Sequence, residues 1–545
     1  MGKPRKLSRK EMSEKLISKW AFTILFALCI QFLVYLVILN VVPTFVENEA
    51  GNVEINSLYF IEKDHYGSTQ YDNGTRIIYY YNMVLLVATI ILILYYFVNF
   101  MENNDGKMIS KIKKFLKEQW PFAILLVFML WVFISSLLAR DYYRSFVGCF
   151  NLKDGYLSFM MYGSMLVCTM LLGKDNEKYR KIIVNTFLIT ATIVAVLTLW
   201  NYYYLNSDKY DGSSFINTSA ITVGEFIFGN GGYALGDNFL IVTKRIIGES
   251  TSGIFHNSNH YGYYLSICVI VAATMFMKEK KTWLSLLYLV SYAVMMKMAI
   301  LNNTLGAYLG IGAGIIFMLI YALIPKGNKF NVRECGYAFI VLAIFVALSA
   351  TTVNPSNKNI VYENFSVLAS DVKTLIGSKN ENNTENSTEN EDLDETNSSS
   401  EETENATDTI GSGRGVLWEK AAIMALQRPF FGYGLENIKY EYDEQFGINE
   451  GRSHNLILQL AATTGIVGML LYVVGIASIW IRKLKYIKTW DVYECLGMFV
   501  IVSYIISSLV GNSAFYTSGY FYIFVGFVVL NYRKNDENIN TKKAK

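Results

Sequence analysis

Charge is scarce in this chain. Lys, Arg, Asp and Glu make up 17% of its 545 residues, against 52% hydrophobic. A soluble chain of that length needs more charge to cover its surface. Histidine is rarer still, with four residues in all, so each one in a loop carries weight. The six cysteines contain no CxxC pair: Cys29, Cys168, Cys268 and Cys495 lie in apolar blocks, Cys335 beside one, and Cys149 in a loop. That pattern argues against a disulfide framework and against a Cys/His metal site. There is no Walker loop, no GxGxxG after a strand and no HExxH, so no nucleotide or metalloprotease chemistry is signalled. A net charge of +3 is too small to imply a nucleic-acid partner.

What the chain does have is long apolar runs, of the length a bilayer demands of a spanning helix. The spans fall at 21–42, 79–100, 120–139, 155–173, 182–203, 260–277, 283–301, 305–324, 336–353, 456–480, 494–511 and 519–531. The fold class is therefore all-α, a polytopic integral membrane protein of about twelve transmembrane helices. The first block is too long for a signal-peptide core and no small-x-small site follows it, so it reads as an uncleaved span.

Twelve spans put both termini on one side. The terminal tails and the alternate loops 101–119, 174–181, 278–281, 325–333 and 482–488 hold 31 of the 48 Lys and Arg. By the positive-inside rule that side is cytoplasmic. Residues 1–353 then form a bundle of nine spans with outer loops 43–78 and 204–259. A large extracytoplasmic loop covers 354–455, and 456–545 supplies three more spans and a cytoplasmic tail. Within the large loop, residues 380–408 are almost wholly Asn, Glu, Ser and Thr, with eleven acidic residues. Such a stretch buries too little to fold, so it reads as a disordered, dispensable insertion. After it, a helix is expected from about Arg414 to Gln427, ended by Pro429.

Polar groups gather on the outer face. Arg414 and His454 stand 40 residues apart in one loop. A guanidinium offers paired donors that suit a phosphate, and an imidazole exchanges a proton near neutrality. Spacing alone leaves the plainer reading open, in which Arg414 caps a turn and His454 merely starts the tenth span. Arg144, Arg140, Arg245, Arg428 and Arg452 share that face, as headgroup contacts or as substrate ligands. Asn257 and Asn259 are helix-start caps or amides aimed at a sugar. Lys297, about one turn inside the seventh span, either snorkels or marks a functional charge.

These residues resemble a family motif. Ser412-Gly413-Arg414 with Trp418, then Pro429, Gly432, Gly434, Tyr440, His454-Asn455, Leu458, Gly465 and Gly468 follow its order. Gly253, Phe255, Asn257 and Asn259 supply a second element. The pattern is similar to that of the O-antigen ligase and Wzy-type polysaccharide polymerase superfamily of the bacterial cell envelope. The resemblance implies a metal-independent glycosyltransferase without cofactor, in the cytoplasmic membrane with its active face outside. Its donor would be an oligosaccharide on undecaprenyl diphosphate, its acceptor a sugar hydroxyl, and its partners membrane lipid, a flippase and a chain-length regulator. Arg414 would neutralise the leaving diphosphate and His454 would serve the acceptor, as catalytic residues. Arg245, Lys297, Asn257, Asn259, Asn455, Arg452 and Arg144 would bind substrate. One departure stands out. Where the family carries an arginine in a Ser-Arg-Gly-Ala element, this chain has Thr304-Leu305-Gly306-Ala307, so Arg245 or Lys297 would have to replace the charge.

Richness in Asn, Lys, Ile and Tyr hints at a Gram-positive source and tilts the reading toward a capsule or exopolysaccharide polymerase. A ligase acting on a protein or lipid acceptor is the alternative. A twelve-span transporter is the rival from another class. Transporters, however, show repeated halves and charge at the midplane, and neither is visible here.

Overall fold

The computed structural model describes residues 8–205, 254–366 and 414–530, apart from short breaks at 42–43, 48–52, 57–59, 64–68, 73–74, 103–107, 150–152, 174–175, 256, 327–329, 355–356, 364 and 512–513. The acidic run 380–408, Arg245, Gly253 and Ser412-Gly413 lie outside the described residues.

Every predicted span is an apolar helix. The helices are α1 (Arg9–Cys29), α2 (Gln31–Val41), α3 (Thr75–Glu102), α4 (Met108–Glu118), α5 (Trp120–Leu137), α6 (Tyr142–Val147), α7 (Tyr156–Leu171), α8 (Glu177–Leu205), α9 (Ser258–Lys278) and α10 (Thr282–Leu301). They continue as α11 (Leu305–Leu323), α12 (Val332–Thr351), α13 (Arg414–Gln427), α14 (Ile438–Phe446), α15 (Leu456–Leu484), α16 (Val492–Ser508) and α17 (Phe515–Leu530). Eight described helices are long and apolar enough to cross a membrane, and α7, α16 and α17 are shorter apolar helices. The segment 43–78 adds two antiparallel hairpins, Thr44–Glu47 with Val53–Asn56 and Phe60–Lys63 with Thr69–Asp72, which the hydropathy pattern did not signal.

The first span differs from its prediction. Ser8 and Glu11 form a reciprocal cap that starts α1 at Arg9, well before the apolar block. The helix then breaks at Ile30. Gln31, buried just past the break, donates to Tyr516 O and Tyr520 Oη at 2.9 Å each.

Burial separates centre from rim. The α9 window is wholly buried, whereas those of α3 and α12 are 22% and 11% buried. α9 packs on α10, α11 and α16, while α5 packs on α15 and α7 on α17. Small residues allow the closest approaches, as expected where lipid supplies no hydrophobic drive. A Cβ on Gly310 would stand 2.5 Å from Ser503 O, and one on Gly306 2.9 Å from Ser507 O.

The basic loops meet one another on one face. Lys181 pairs with Glu279 at 3.0 Å, Lys278 and Lys326 converge on Glu334, and Lys483 pairs with Glu494.

α15 is interrupted where Gly465 takes φ 76° and ψ 167°. The break frees carbonyls where Thr463 and Thr464 are fully buried, out of reach of water, and each must find a partner. Tyr433 N donates to Ala462 O (3.0 Å) and Gly434 N to Thr463 O (2.8 Å). Ser135 Oγ also reaches Thr463 O (2.9 Å), and Trp131 Nε1 reaches Thr464 O (3.1 Å). The 429–434 turn and the first half of α15 are thus one unit. A Cβ on Gly465 would collide with Phe430 O, in a backbone conformation that already disfavours side chains. Gly465→Ala should cost about 3 kcal/mol or more. Gly447→Ala has a similar φ of 65° but open space around it, and should cost about 1–2 kcal/mol. Thermal melts of the two purified variants in one detergent test the contrast. Equal losses would mean that the contact with Phe430 contributes nothing.

Candidate functional site

The turn that carries His454 is fixed from both sides. Asn455 caps α15, its side chain accepting from Ile457 N (3.0 Å) and Leu458 N (3.1 Å). Ser453 N donates to Gln459 Oε1 (2.9 Å), and Ser453 Oγ to Asn455 O (3.0 Å). Between them His454 is held at φ 52°, a left-handed conformation uncommon outside glycine. Its Nδ1 is buried and has no hydrogen-bond partner among the described residues.

Directly before it, Arg452 is buried between two carboxylates. Nη1 lies 3.3 Å from Asp154 Oδ2 and Nη2 2.5 Å from Glu436 Oε1, and all three side chains are at most 7% exposed. Tyr162 Oη also donates to Asp154 (2.5 Å). Burial opposes the Arg452 charge, but Glu436 and Asp154 outweigh it and push its pKa upward. This cluster joins three separate pieces: the turn before α7, the turn before α14 and the turn before α15.

Arg144 lies over the Tyr440 ring, 5.3 Å from its centroid, and Tyr440 Oη donates to Asp141 Oδ2 at 3.0 Å. Asp141 also caps α6, and its N donates to Asn437 Oδ1 (2.8 Å). On the solvent side Arg140 pairs with Glu444 at 2.7 Å. The turn after α5 is thereby docked on α14.

Arg414 opens α13, the helix expected from the sequence at the same residues. Its Nη1 donates to Val510 O (3.1 Å), in the turn that leaves α16. That turn rests on α9, where a Cβ on Gly511 would meet Tyr263 Oη at 2.5 Å. Tyr263 Oη in turn donates to Ser507 O (2.6 Å). The Trp418 Nε1, one turn along α13, is buried without a partner among the described residues.

The two distant residues of the motif feel each other electrostatically. Burial, then the charge of Arg414, then that of Arg452 hold the His454 imidazole down at about 4. It is therefore neutral at physiological pH, with a lone pair to offer, beside a cation that is always charged.

The other residues singled out from the sequence are placed differently. Asn257 caps α9, its side chain accepting from Asn259 N at 2.7 Å. Asn455 is likewise a cap, and Arg452 is committed to the buried carboxylates. Lys297 Nζ donates to Thr352 Oγ1 (2.8 Å), at the end of the rim helix α12. Leu305 begins α11 after a turn in which Thr304 Oγ1 bonds Asn302 Oδ1 (2.6 Å) and reaches Ser258 O (3.3 Å), so this element abuts the start of α9.

Sequence reasoning missed Asp154 and Glu436. Each is an acidic residue in a Gly-containing turn, and nothing local marks it as a partner of Arg452.

Residues 290–473 match the family model described as O-antigen ligase, about a third of the chain. The matched stretch runs from α10 into α15 and includes Leu305, Arg414, His454 and Gly465. Over this segment the chain is thus similar to the O-antigen ligase family. No curated protein matches the chain.

Proposed function

We propose that this protein is a glycosyltransferase of the outer face of a bacterial cytoplasmic membrane. It moves an oligosaccharide from undecaprenyl diphosphate to a sugar hydroxyl, joining repeat units of a capsule or exopolysaccharide. Both termini are cytoplasmic, on the face where the basic loops meet. Support comes from one meeting of groups: a permanent guanidinium and a neutral imidazole, 40 residues apart in the chain, share one outer-face site.

In the reaction the glycosyl C1–O bond to the diphosphate breaks as the acceptor oxygen bonds to C1. Negative charge builds on the departing diphosphate, and Arg414 answers it with two donors in a fixed fork. The acceptor proton must leave as its oxygen attacks. His454, neutral beforehand, accepts that proton or holds the hydroxyl in line. The buried Arg452–Asp154–Glu436 cluster sets where His454 stands. Leu305 removes one cation from the family pattern, and Arg245 or Lys297 supplies the replacement.

Purified protein given a lipid-diphosphate repeat unit should yield a ladder of longer lipid-linked products. A single addition to a different acceptor would point to the ligase reading. No transfer to any sugar, lipid or protein acceptor would sink the proposal. The pH dependence adds a second check. Because the free-enzyme imidazole titrates at about 4, kcat/KM should stay level from about pH 8 down to 5.5 and fall only nearer 4. An acid limb centred near 6.5 would mean that His454 behaves as an ordinary, solvated histidine.

A further inference from the structure

The opposite face of the protein holds a groove that plays no part in glycosyl transfer. It lies between α4, the start of α5 and the last three turns of α15, and extends to about 940 Å³. Lys114, Lys117, Arg482 and Lys485 line it, with Glu118 as the one carboxylate among its lining residues. Glu118 sits 3.7 Å from Lys114, and its backbone carbonyl accepts from Arg482 Nη1 (2.5 Å). Lys114, Lys117 and Lys485 thus face one lining carboxylate, which leaves positive charge in excess among the lining residues.

Below the cations the wall changes character. Val474 and Ile481 on α15 and Trp120 at the head of α5 are 47%, 55% and 46% exposed, facing outward from the bundle. Tyr486 lines the groove as well. Exposed apolar side chains on spanning helices face acyl chains, and Trp and Tyr mark the headgroup level. α4 itself reads MISKIKKFLKE, lysines on one side and Ile109, Ile112 and Phe115 on the other, the pattern of a helix lying in the interface.

We infer that this groove binds an anionic phospholipid of the surrounding bilayer, its phosphate among Lys114, Lys117, Arg482 and Lys485 and its acyl chain along α15. The apolar wall is the reason to choose lipid over a free anion, since inorganic phosphate has no use for it. A zwitterionic lipid brings its own cation and leaves the excess charge unanswered. Bound there, the lipid would bridge α4 to α15 and tie the interfacial helix to the bundle.

Full-length protein in bilayer discs of phosphatidylcholine with a minor share of phosphatidylglycerol provides the test. Lipids carried along on transfer to detergent are counted by native mass spectrometry. Wild type should retain phosphatidylglycerol over phosphatidylcholine by about tenfold or more, from several cations each worth about a fivefold preference for anionic lipid. The K114Q/K117Q/K485Q variant should lose that preference. Lys488→Gln, an exposed lysine of the same face outside the groove, should keep it. Equal retention in wild type and the triple variant would overturn the assignment. So would release of the retained lipid by millimolar inorganic phosphate, which would make the groove a plain anion site.

Discussion

His454→Ala should lower turnover by at least about a hundredfold, the usual contribution of a positioned acid–base group. Arg414→Ala should lose as much, because a fixed cation acts most strongly on charge that develops in the transition state. Arg414→Lys should remain poor, since a point charge cannot copy a paired fork. The two losses should differ in kind. Without Arg414 the donor is held less well and its leaving group is not stabilised, so KM and kcat both suffer. Without His454 the donor still binds, and the loss falls mainly on kcat. Neither side chain is needed to span lipid, so all three variants should insert like wild type, although Arg414→Ala gives up the hydrogen bond to Val510 O. The measurement is chain extension of a lipid-linked repeat unit at matched protein amounts. Near-normal activity in His454→Ala would reduce it to a residue of the interface and remove the mechanism, even with Arg414 essential.

The second large effect falls on stability. Arg452→Met should cost about 3–5 kcal/mol, because it leaves Asp154 and Glu436 charged, close and out of reach of water. The guanidinium and both carboxylates are at most 7% exposed, so solvent does little to soften the loss. Removing the charges together should be far milder. In Arg452→Gln combined with Asp154→Asn and Glu436→Gln, no ion stays buried and amides can bond in its place. Thermal melts of the single and triple variants in detergent decide the matter. If the single variant melts like wild type, the cluster is no more than an incidental contact. If instead the triple variant is as unstable as the single one, shape and not charge holds the three turns.

How legible all this was depends on the range of the forces involved. The spanning helices were readable because nearly all are continuous apolar blocks, and the bilayer reads length and hydropathy locally. The helix Arg414–Gln427 was readable for the same local reason: glycines before it and Pro429 after it. The break at Gly465 was not. Thr463-Thr464-Gly465 sits inside an apolar run that would also make an unbroken helix, and what opens it is a turn thirty-odd residues earlier together with side chains from α5. The site divides in the same way. Arg414 and His454 could be picked out by type and by the resemblance they carry. The low proton affinity of His454, which comes first from burial and then from the charges of Arg414 and Arg452, needed the fold. Asn257 and Asn455 show the opposite limit, since an amide before a helix serves equally well as a cap or as a ligand, and only geometry distinguishes the two. Asp154 and Glu436 were invisible because their partner, Arg452, lies 298 and 16 residues away.

The broken helix α15 also bears on how the protein is made. Ser135 and Trp131 enter the membrane with α5, and the carbonyls they satisfy at Thr463 and Thr464 come 328 and 333 residues later. During synthesis from the N-terminus, the hydroxyl and the indole must wait for most of the chain. The late segment, in turn, cannot stay open at Gly465 on its own in hydrocarbon, because its freed carbonyls would have no donors. It therefore enters the bilayer as an ordinary continuous helix and opens only on docking against α5 and the 429–434 turn. Closing contacts over such separations is slow. The turn bearing His454 thus takes its final position among the last events of assembly, and a nascent chain cut short before α15 carries Arg414, Arg452 and His454 without the helix whose cap fixes that turn.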